Sequence, residues 1–99
     1  MEAHIDGRII KTTDDFYEAF ARIEGVPSWF GRNLDALWDT VTGLLEKPVT
    51  LDWRDFQASR DAMGPDFETL IELLLQAQAE TASAPDRVRF ELKLDGQPS

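Results

Sequence analysis

Apolar residues recur every three or four positions in several stretches of this chain, the spacing that buries one face of an α-helix. The first such stretch follows Thr13, which we predict to be a helix N-cap. Its apolar face carries Phe16, Phe20 and Ile23, and Gly25 marks its approximate end. The pattern therefore predicts one helix in the first quarter of the chain.

Two further helices are predicted in the second half of the chain. The shorter covers residues 55–63 and is stopped by Gly64. The longer begins at Pro65, because proline is tolerated in the first helical turn, and reaches about Thr81. Its apolar side consists of Phe67, Leu70, Ile71, Leu74 and either Ala77 or Gln78.

Three short segments show the composition or alternation of β-strands. The N-terminal strand contains Ala3, Ile5 and Ile9-Ile10, with a turn signal at Asp6-Gly7. The central strand covers residues 49–53. In the C-terminal strand, charged residues alternate with Val88, Phe90, Leu92 and Leu94. With the helices, these segments predict the order β-α-α-β-α-α-β. We therefore expect an α/β fold with a small, mostly parallel three-stranded sheet packed by about four helices.

The length of 99 residues corresponds to one domain. We assign residues 1–94 to this domain and expect residues 95–99 to form a frayed C-terminal tail. We find no internal repeat or low-complexity segment in the sequence.

The stretch from Pro27 to Gly43 contains side chains that the requirements of folding do not explain. An aromatic loop, which includes Trp29, leads into a short helix that Asn33 is expected to cap and Gly43 to end in the left-handed conformation. Its buried stripe is predicted to consist of Leu34, Leu37, Trp38, Val41 and Leu44 or Leu45, with Asp35, Asp39 and Thr42 on a neighbouring stripe.

The acid pair on this helix requires an explanation other than helix stability. Aspartates at positions i and i+4 repel each other by about 0.2–0.5 kcal/mol. Trp29 and Phe30 in the loop and Trp38 on the helix could place flat apolar surface beside Asp35 and Asp39. Aromatic residues beside charges that can be desolvated are typical of the centre of a protein–protein interface.

Charge and composition narrow the possible partners. The formal net charge of −9 argues against nucleic-acid binding, which requires Lys and Arg to neutralise phosphates, and favours a basic protein partner. The chain has no cysteine and a single histidine, His4, so we predict no catalytic residue, no metal and no cofactor. The sequence shows no signal peptide or transmembrane pattern, and we expect a cytoplasmic protein that does not bind membranes and is a monomer when free.

The sequence resembles the barstar family of intracellular ribonuclease inhibitors. The resemblance is close over residues 29–43, continues through residues 48–56, and is weaker over residues 77–80. The order of predicted elements also fits from about Ala3 to Leu94. A single Asp-x-x-x-Asp motif would have little specificity, whereas a run of this length followed by a second matching block is specific. The implied architecture is barstar-like.

This resemblance implies inhibition of a barnase-type microbial ribonuclease through its basic active site. Asp39 would enter that site among basic residues, Asp35 would pair with an arginine, and Trp29 would pack on the catalytic histidine. A carboxylate can take the place of an RNA phosphate because it accepts two N–H bonds from one arginine. The other expected contact residues are Phe30, Gly31, Asn33, Leu34, Trp38, Thr42, Leu44, Gln76 and Glu80. The expected partner is an extracellular-type or toxin ribonuclease.

Three positions differ from better-known members of the family. Leu44 replaces a tryptophan, Trp29 replaces a more usual tyrosine, and Gln76 replaces a glutamate that supplies a peripheral anionic contact. Gln76 lacks that steering charge but keeps its hydrogen-bonding capacity. The cognate ribonuclease therefore need not be barnase itself.

Two other functions remain open from the sequence. A barstar-fold immunity or regulatory module could bind a different basic protein or toxin. Carboxylates one helical turn apart could also act as acid and base in glycoside hydrolysis. No sugar-binding cleft is evident, and Asp35 lies near a helix N-terminus, where the helix dipole favours an anion. We therefore predict a protein that is not an enzyme.

Overall fold

A computed structural model describes residues 1–96 and contains one sheet of three strands in the order β1-β2-β3. The strands are β1 (Glu2–Asp6), β2 (Val49–Arg54) and β3 (Phe90–Asp95). The helices are α1 (Thr13–Ala21), α2 (Leu34–Asp39), α3 (Phe56–Met63) and α4 (Pro65–Ala82), and a π-helical turn (Thr40–Leu44) continues α2. Both strand pairs are parallel. The predicted α/β class and the order β-α-α-β-α-α-β are confirmed.

The central strand forms the floor of the hydrophobic core. Leu51 pairs with Ala3 on one side and with Leu92 on the other, and its side chain is fully buried. Parallel neighbours need crossover connections, which α1 with α2 and α3 with α4 provide. The helices therefore cover the sheet and bury β2.

Trp53 is the largest fully buried side chain. Its ring lies 5.0 Å from the ring of Phe16 and 5.2 Å from that of Phe67, between centroids. The indole Nε1 donates to Ser59 Oγ at 3.1 Å, and this hydroxyl donates to the Gly7 carbonyl at 2.9 Å. The buried indole N–H of Trp53 therefore has a hydrogen-bond partner, as is usual for buried polar groups.

The prediction for the start of α1 was wrong by one residue. Thr12, and not Thr13, is the N-cap, because its Oγ1 accepts from the Asp15 backbone N–H at 3.1 Å. The helix ends at Ala21, before Gly25, which has a φ of 99° in the following turns. Ile9 and Ile10 lie beyond β1, which ends at Asp6.

The predicted left-handed end of the second helix at Gly43 was also wrong. Among the glycines of residues 1–96, positive φ occurs at Gly25 and Gly64, while Gly43 lies inside the π-helical turn. The Leu45 N–H donates to the Thr40 carbonyl at 3.0 Å, an i→i+5 bond. This wider turn buries both Val41 and Leu45.

The second half of the chain follows the predicted pattern closely. α3 ends at Met63, and α4 begins at Pro65 and extends one residue beyond Thr81. Within residues 1–96, no helix is both long enough and apolar enough to cross a membrane. β3 starts two residues after Val88 and includes Asp95, which was expected in the tail, whereas residues 97–99 lie outside the described residues.

Candidate functional site

The aromatic loop and α2 are joined by the cap at Asn33. Its Oδ1 accepts from the Ala36 N–H at 2.7 Å, and its Nδ2 donates to the Gly31 carbonyl at 3.0 Å. A Cβ at Gly31 would lie 3.1 Å from the Ala36 side chain, which is closer than ordinary packing allows. The predicted cap is confirmed, and it fixes the loop against the first turn of α2.

The two neighbouring aromatic residues of the loop have opposite environments. Trp29 is 68% exposed, whereas Phe30 is 5% exposed. The Phe30 ring lies 5.2 Å from that of Phe20 and 6.0 Å from that of Tyr17. Phe30, expected to contact a partner, is therefore a core residue, because α1 presents an aromatic cluster beneath the loop. Trp29 retains a surface available for binding.

Asp35 and Asp39 are both exposed on α2. Within residues 1–96, neither carboxylate forms a salt bridge or a side-chain hydrogen bond. Trp38 lies between them in sequence and is half-buried against the core. Among the described residues, neither acid of this like-charge pair is thus ion-paired, and both carboxylates can accept a cation from a partner.

Thr42, expected beside Asp35 and Asp39 as a partner contact, is not at the surface. Its side chain is buried, with 6% exposed, and its Oγ1 donates to the Trp38 carbonyl at 2.6 Å. Threonine hydroxyls in helices commonly bond the carbonyl four residues earlier. The hydroxyl is consequently committed inside the helix and offers a partner little surface.

The fold places α4 beside this helix. Gln76 and Glu80 lie on the exposed side of α4 and, with Trp38, Ala79 and Ser83, line a shallow groove. Of the residues expected to contact a partner, those exposed are Trp29, Gly31, Asn33, Leu34, Asp35, Asp39, Leu44, Gln76 and Glu80. We call this set, with the half-buried Trp38, the acidic surface.

Arg87 borders the acidic surface and was not identified from the sequence. It lines a second groove with Asp39 and Leu44. Its Nη1 lies 3.8 Å from Glu80 Oε2 and donates to the Thr42 carbonyl at 3.5 Å. The sequence placed Arg87 on the exposed face of the last strand, and no local signal indicated contacts with residues so far away in the chain.

A third groove lies at the start of α2, where Tyr17, Leu34, Asp35 and Asp66 meet. Burial raises the pKa of Tyr17 above its usual value of about 10, and the carboxylates of Asp14 and Asp66 raise it further. Ionisation of this phenol beside the two carboxylates is therefore disfavoured. This groove combines apolar side chains with two carboxylates, Asp35 and Asp66, and the guanidinium of Arg32.

Glu2, His4 and Asp52 form the one group of potential metal ligands found among residues 1–96, with ligand atoms within 4.8 Å of one another. His4 Nδ1 lies 3.1 Å from Asp52 Oδ2, and Arg54 Nε lies 3.3 Å from the same oxygen. Arg54 thus supplies positive charge beside the buried Asp52. These contacts account for the cluster as a polar link between strands, although Asp52 Oδ1 has no partner among the described residues.

Comparisons with known proteins identify the family of this chain. A family model described as Barstar (barnase inhibitor) matches residues 1–95. The chain is also 34% identical over 76 residues to the Bacillus subtilis (strain 168) protein named "Putative ribonuclease inhibitor YrdF", an alignment that covers 77% of this chain and 84% of that protein. The resemblance found in the sequence is thereby confirmed. The chain belongs to the barstar family, whose members are inhibitors and not enzymes.

Proposed function

We propose that this protein inhibits a barnase-type microbial ribonuclease by inserting the acidic surface into its basic active site. The observation that carries the proposal is the pair of exposed carboxylates of Asp35 and Asp39, unpaired within residues 1–96, beside the exposed Trp29. Family membership and the name of the B. subtilis relative support ribonuclease inhibition in general.

The proposed mechanism is phosphate mimicry. A ribonuclease must hold RNA phosphates with Arg, Lys or His, and each carboxylate of the inhibitor can accept the same donors. Asp35 and Asp39 lie four positions apart on α2, a rise of about 6 Å along a helix. Asp39 takes the position of a phosphate at the catalytic centre, and Asp35 pairs with a flanking arginine.

The remaining acidic surface determines fit. Trp29 supplies a flat apolar area that packs on an imidazole or occupies space used by a base. Leu44 is smaller than the tryptophan that better-known members have at this position. Gln76 is neutral where they have a glutamate, but it can still form hydrogen bonds. We propose that these differences direct the protein to a ribonuclease other than barnase itself, of the extracellular or toxin type.

The proposed setting is the cytoplasm, where a monomer would bind the ribonuclease before cellular RNA is cleaved. The net charge of −9 supports this partner, because it repels RNA and attracts a basic enzyme. The alternative is an immunity or regulatory module for another basic protein or toxin. The experiment below separates the two.

The test is a titration of the protein into a barnase-type ribonuclease while RNA cleavage is followed. Asp39→Ala should raise the inhibition constant by at least about 30-fold, the loss of about 2 kcal/mol that defines an interface hot spot, for which barnase and its inhibitor are themselves a reference case. The matched control is Asp61→Ala, which removes one exposed carboxylate from α3.

The three outcomes have different meanings. Stoichiometric inhibition that depends on Asp39 and not on Asp61 supports occlusion of the active site. Equal effects of the two substitutions would refute the Asp39 mechanism for that enzyme. Absence of inhibition by the unaltered protein would refute the barnase-type target and favour the alternative of another basic partner.

A further inference from the structure

Arg87 is a positive charge at the border of the acidic surface, on the side of Asp39 and Glu80. Another, Arg32, lines the groove beside Asp35 and pairs with Glu18 at 2.9 Å. Among the described residues that line the groove beside Asp39, Arg87 is the only basic one, and two of the others are acidic, Asp39 and Asp86. The loop between α4 and β3 carries Arg87, so it comes from a different part of the chain than α2.

Two contacts hold the guanidinium in this position. Arg87 Nη1 donates to the Thr42 carbonyl at 3.5 Å, within the last turn of the helical segment, where backbone carbonyls favour a cation. The same nitrogen lies 3.8 Å from Glu80 Oε2. Arg87 is therefore paired with the carboxylate of Glu80, a residue expected to contact the partner.

The pair between Arg87 and Glu80 is exchangeable. The two side chains are 43% and 54% exposed, so water screens their attraction. A cationic partner must displace Arg87 from Glu80 before it can pair with that carboxylate, so Arg87 lowers what the partner gains at this position.

We propose that Arg87 attenuates the acidic surface, because its charge offsets part of the attraction that this surface exerts on cationic partners. This inference rests on the proposed function in one respect, that the acidic surface is the binding surface. It adds a residue outside the contact set expected from the family resemblance, and it predicts that removing a positive charge from the border of this surface improves binding.

The central variant is Arg87→Gln, which removes the charge and keeps a hydrogen-bond donor. Its association with a barnase-type ribonuclease should be about threefold faster at low salt, and its affinity for a decalysine peptide should rise by about the same factor, as expected for one partly exposed charge interaction. Both gains should disappear at about 1 M salt, where the Debye length is about 3 Å. Arg87→Lys retains the charge and should behave as the unaltered protein.

Arg89→Gln is the matched control because it changes the net charge by the same amount. Arg89 lies two residues further along and its Nε pairs with Glu91 at 3.0 Å. Equal gains from Arg87→Gln and Arg89→Gln would show an effect of total charge and overturn the proposal. Weaker inhibition by Arg87→Gln, with unchanged thermal unfolding, would also overturn it, because Arg87 would then contribute a favourable contact.

The two binding partners keep this proposal separate from the proposed function. If the unaltered protein inhibits no ribonuclease, the proposed function fails, and the decalysine measurements still decide whether Arg87 attenuates the acidic surface. If inhibition depends on Asp39 but Arg87→Gln matches Arg89→Gln, the role of Arg87 fails alone.

Discussion

At the scale of single residues, Tyr17 shows how burial and neighbouring charge act on one side chain. It is almost fully buried on α1, between the rings of Phe16 and Phe30, and it borders the groove at the start of α2. Burial is the main cause of its raised pKa, and the Asp14 and Asp66 carboxylates add to it. Ionisation of Tyr17 would place a negative charge in the core and close to these two carboxylates, and both effects are unfavourable.

This shift predicts a loss of stability at alkaline pH. The folded pKa lies above the unfolded value of about 10, so the unfolded chain releases this proton first as pH rises. The stability that the raised pKa of Tyr17 contributes is complete below about pH 10 and is lost as pH rises through the folded pKa. Urea unfolding should show a steeper alkaline loss for the unaltered protein than for Tyr17→Phe.

Spectroscopy provides an independent check of the same prediction. Tyr17 is the sole tyrosine of the chain, so tyrosinate absorbance reports its ionisation alone. The folded protein should titrate at higher pH than the urea-unfolded protein. Identical titration curves in the two states, or equal alkaline loss in Tyr17→Phe, would contradict the assignment.

At the scale of elements, α4 covers the outer edge of the sheet. β3 is an edge strand, and its backbone groups that face away from β2 need partners. Thr81 Oγ1 accepts from the Phe90 N–H at 3.0 Å, and Gln78 Oε1 accepts from the Leu92 N–H at 2.7 Å. Side chains of α4 therefore take the place of a fourth strand, and this closes the edge to pairing with other chains.

The element-scale prediction concerns Thr81→Val, which removes the hydroxyl with little change in shape. The buried Phe90 N–H would lose its partner, so the free energy of unfolding should fall by about 1–3 kcal/mol in urea denaturation. Opening the edge should also increase self-association, measured by light scattering. Ser83→Ala is the control, since within residues 1–96 the Ser83 hydroxyl bonds only carbonyls of α4. An equal loss in both variants would contradict the edge role.

At the scale of the whole molecule, the excess of acidic residues acts over a longer range than any contact. The chain has 19 Asp and Glu residues against 10 Lys and Arg residues. Complementary net charge raises the rate at which partners meet, and salt screens that effect. Barnase with its inhibitor is a reference system for such steering, so the expectation follows from the proposed function and is not independent of it.

The corresponding prediction is a salt-dependent association rate. Binding to a barnase-type ribonuclease should slow by about tenfold or more between about 0.01 M and 1 M salt, while the dissociation rate changes much less. Stopped-flow tryptophan fluorescence measures both rates. Trp29→Ala should increase the dissociation rate and leave the salt dependence of association intact. An association rate unaffected by salt would contradict steering by net charge.

Much of the fold was predictable because its signals are local. The Asn33 cap, the start of α4 at Pro65 and the buried face of α4 each depend on residues within a few positions of one another. The errors arose where two local signals competed. Thr12 and Thr13 are both competent caps, and Gly43 can end a helix in the left-handed conformation but is equally compatible with the π-helical turn that buries Val41 and Leu45.

The sequence by itself determined the order of the elements, membership of the barstar family and the acidic character of α2. Only the tertiary structure decided which side chains reach the surface, since Phe30 packs under the loop and Thr42 bonds the Trp38 carbonyl. It also brought Arg87 to Thr42, 45 positions away, and His4 to Asp52, 48 positions away. Periodicity and capping are short-range effects, whereas burial and charge pairing depend on how distant elements pack against each other.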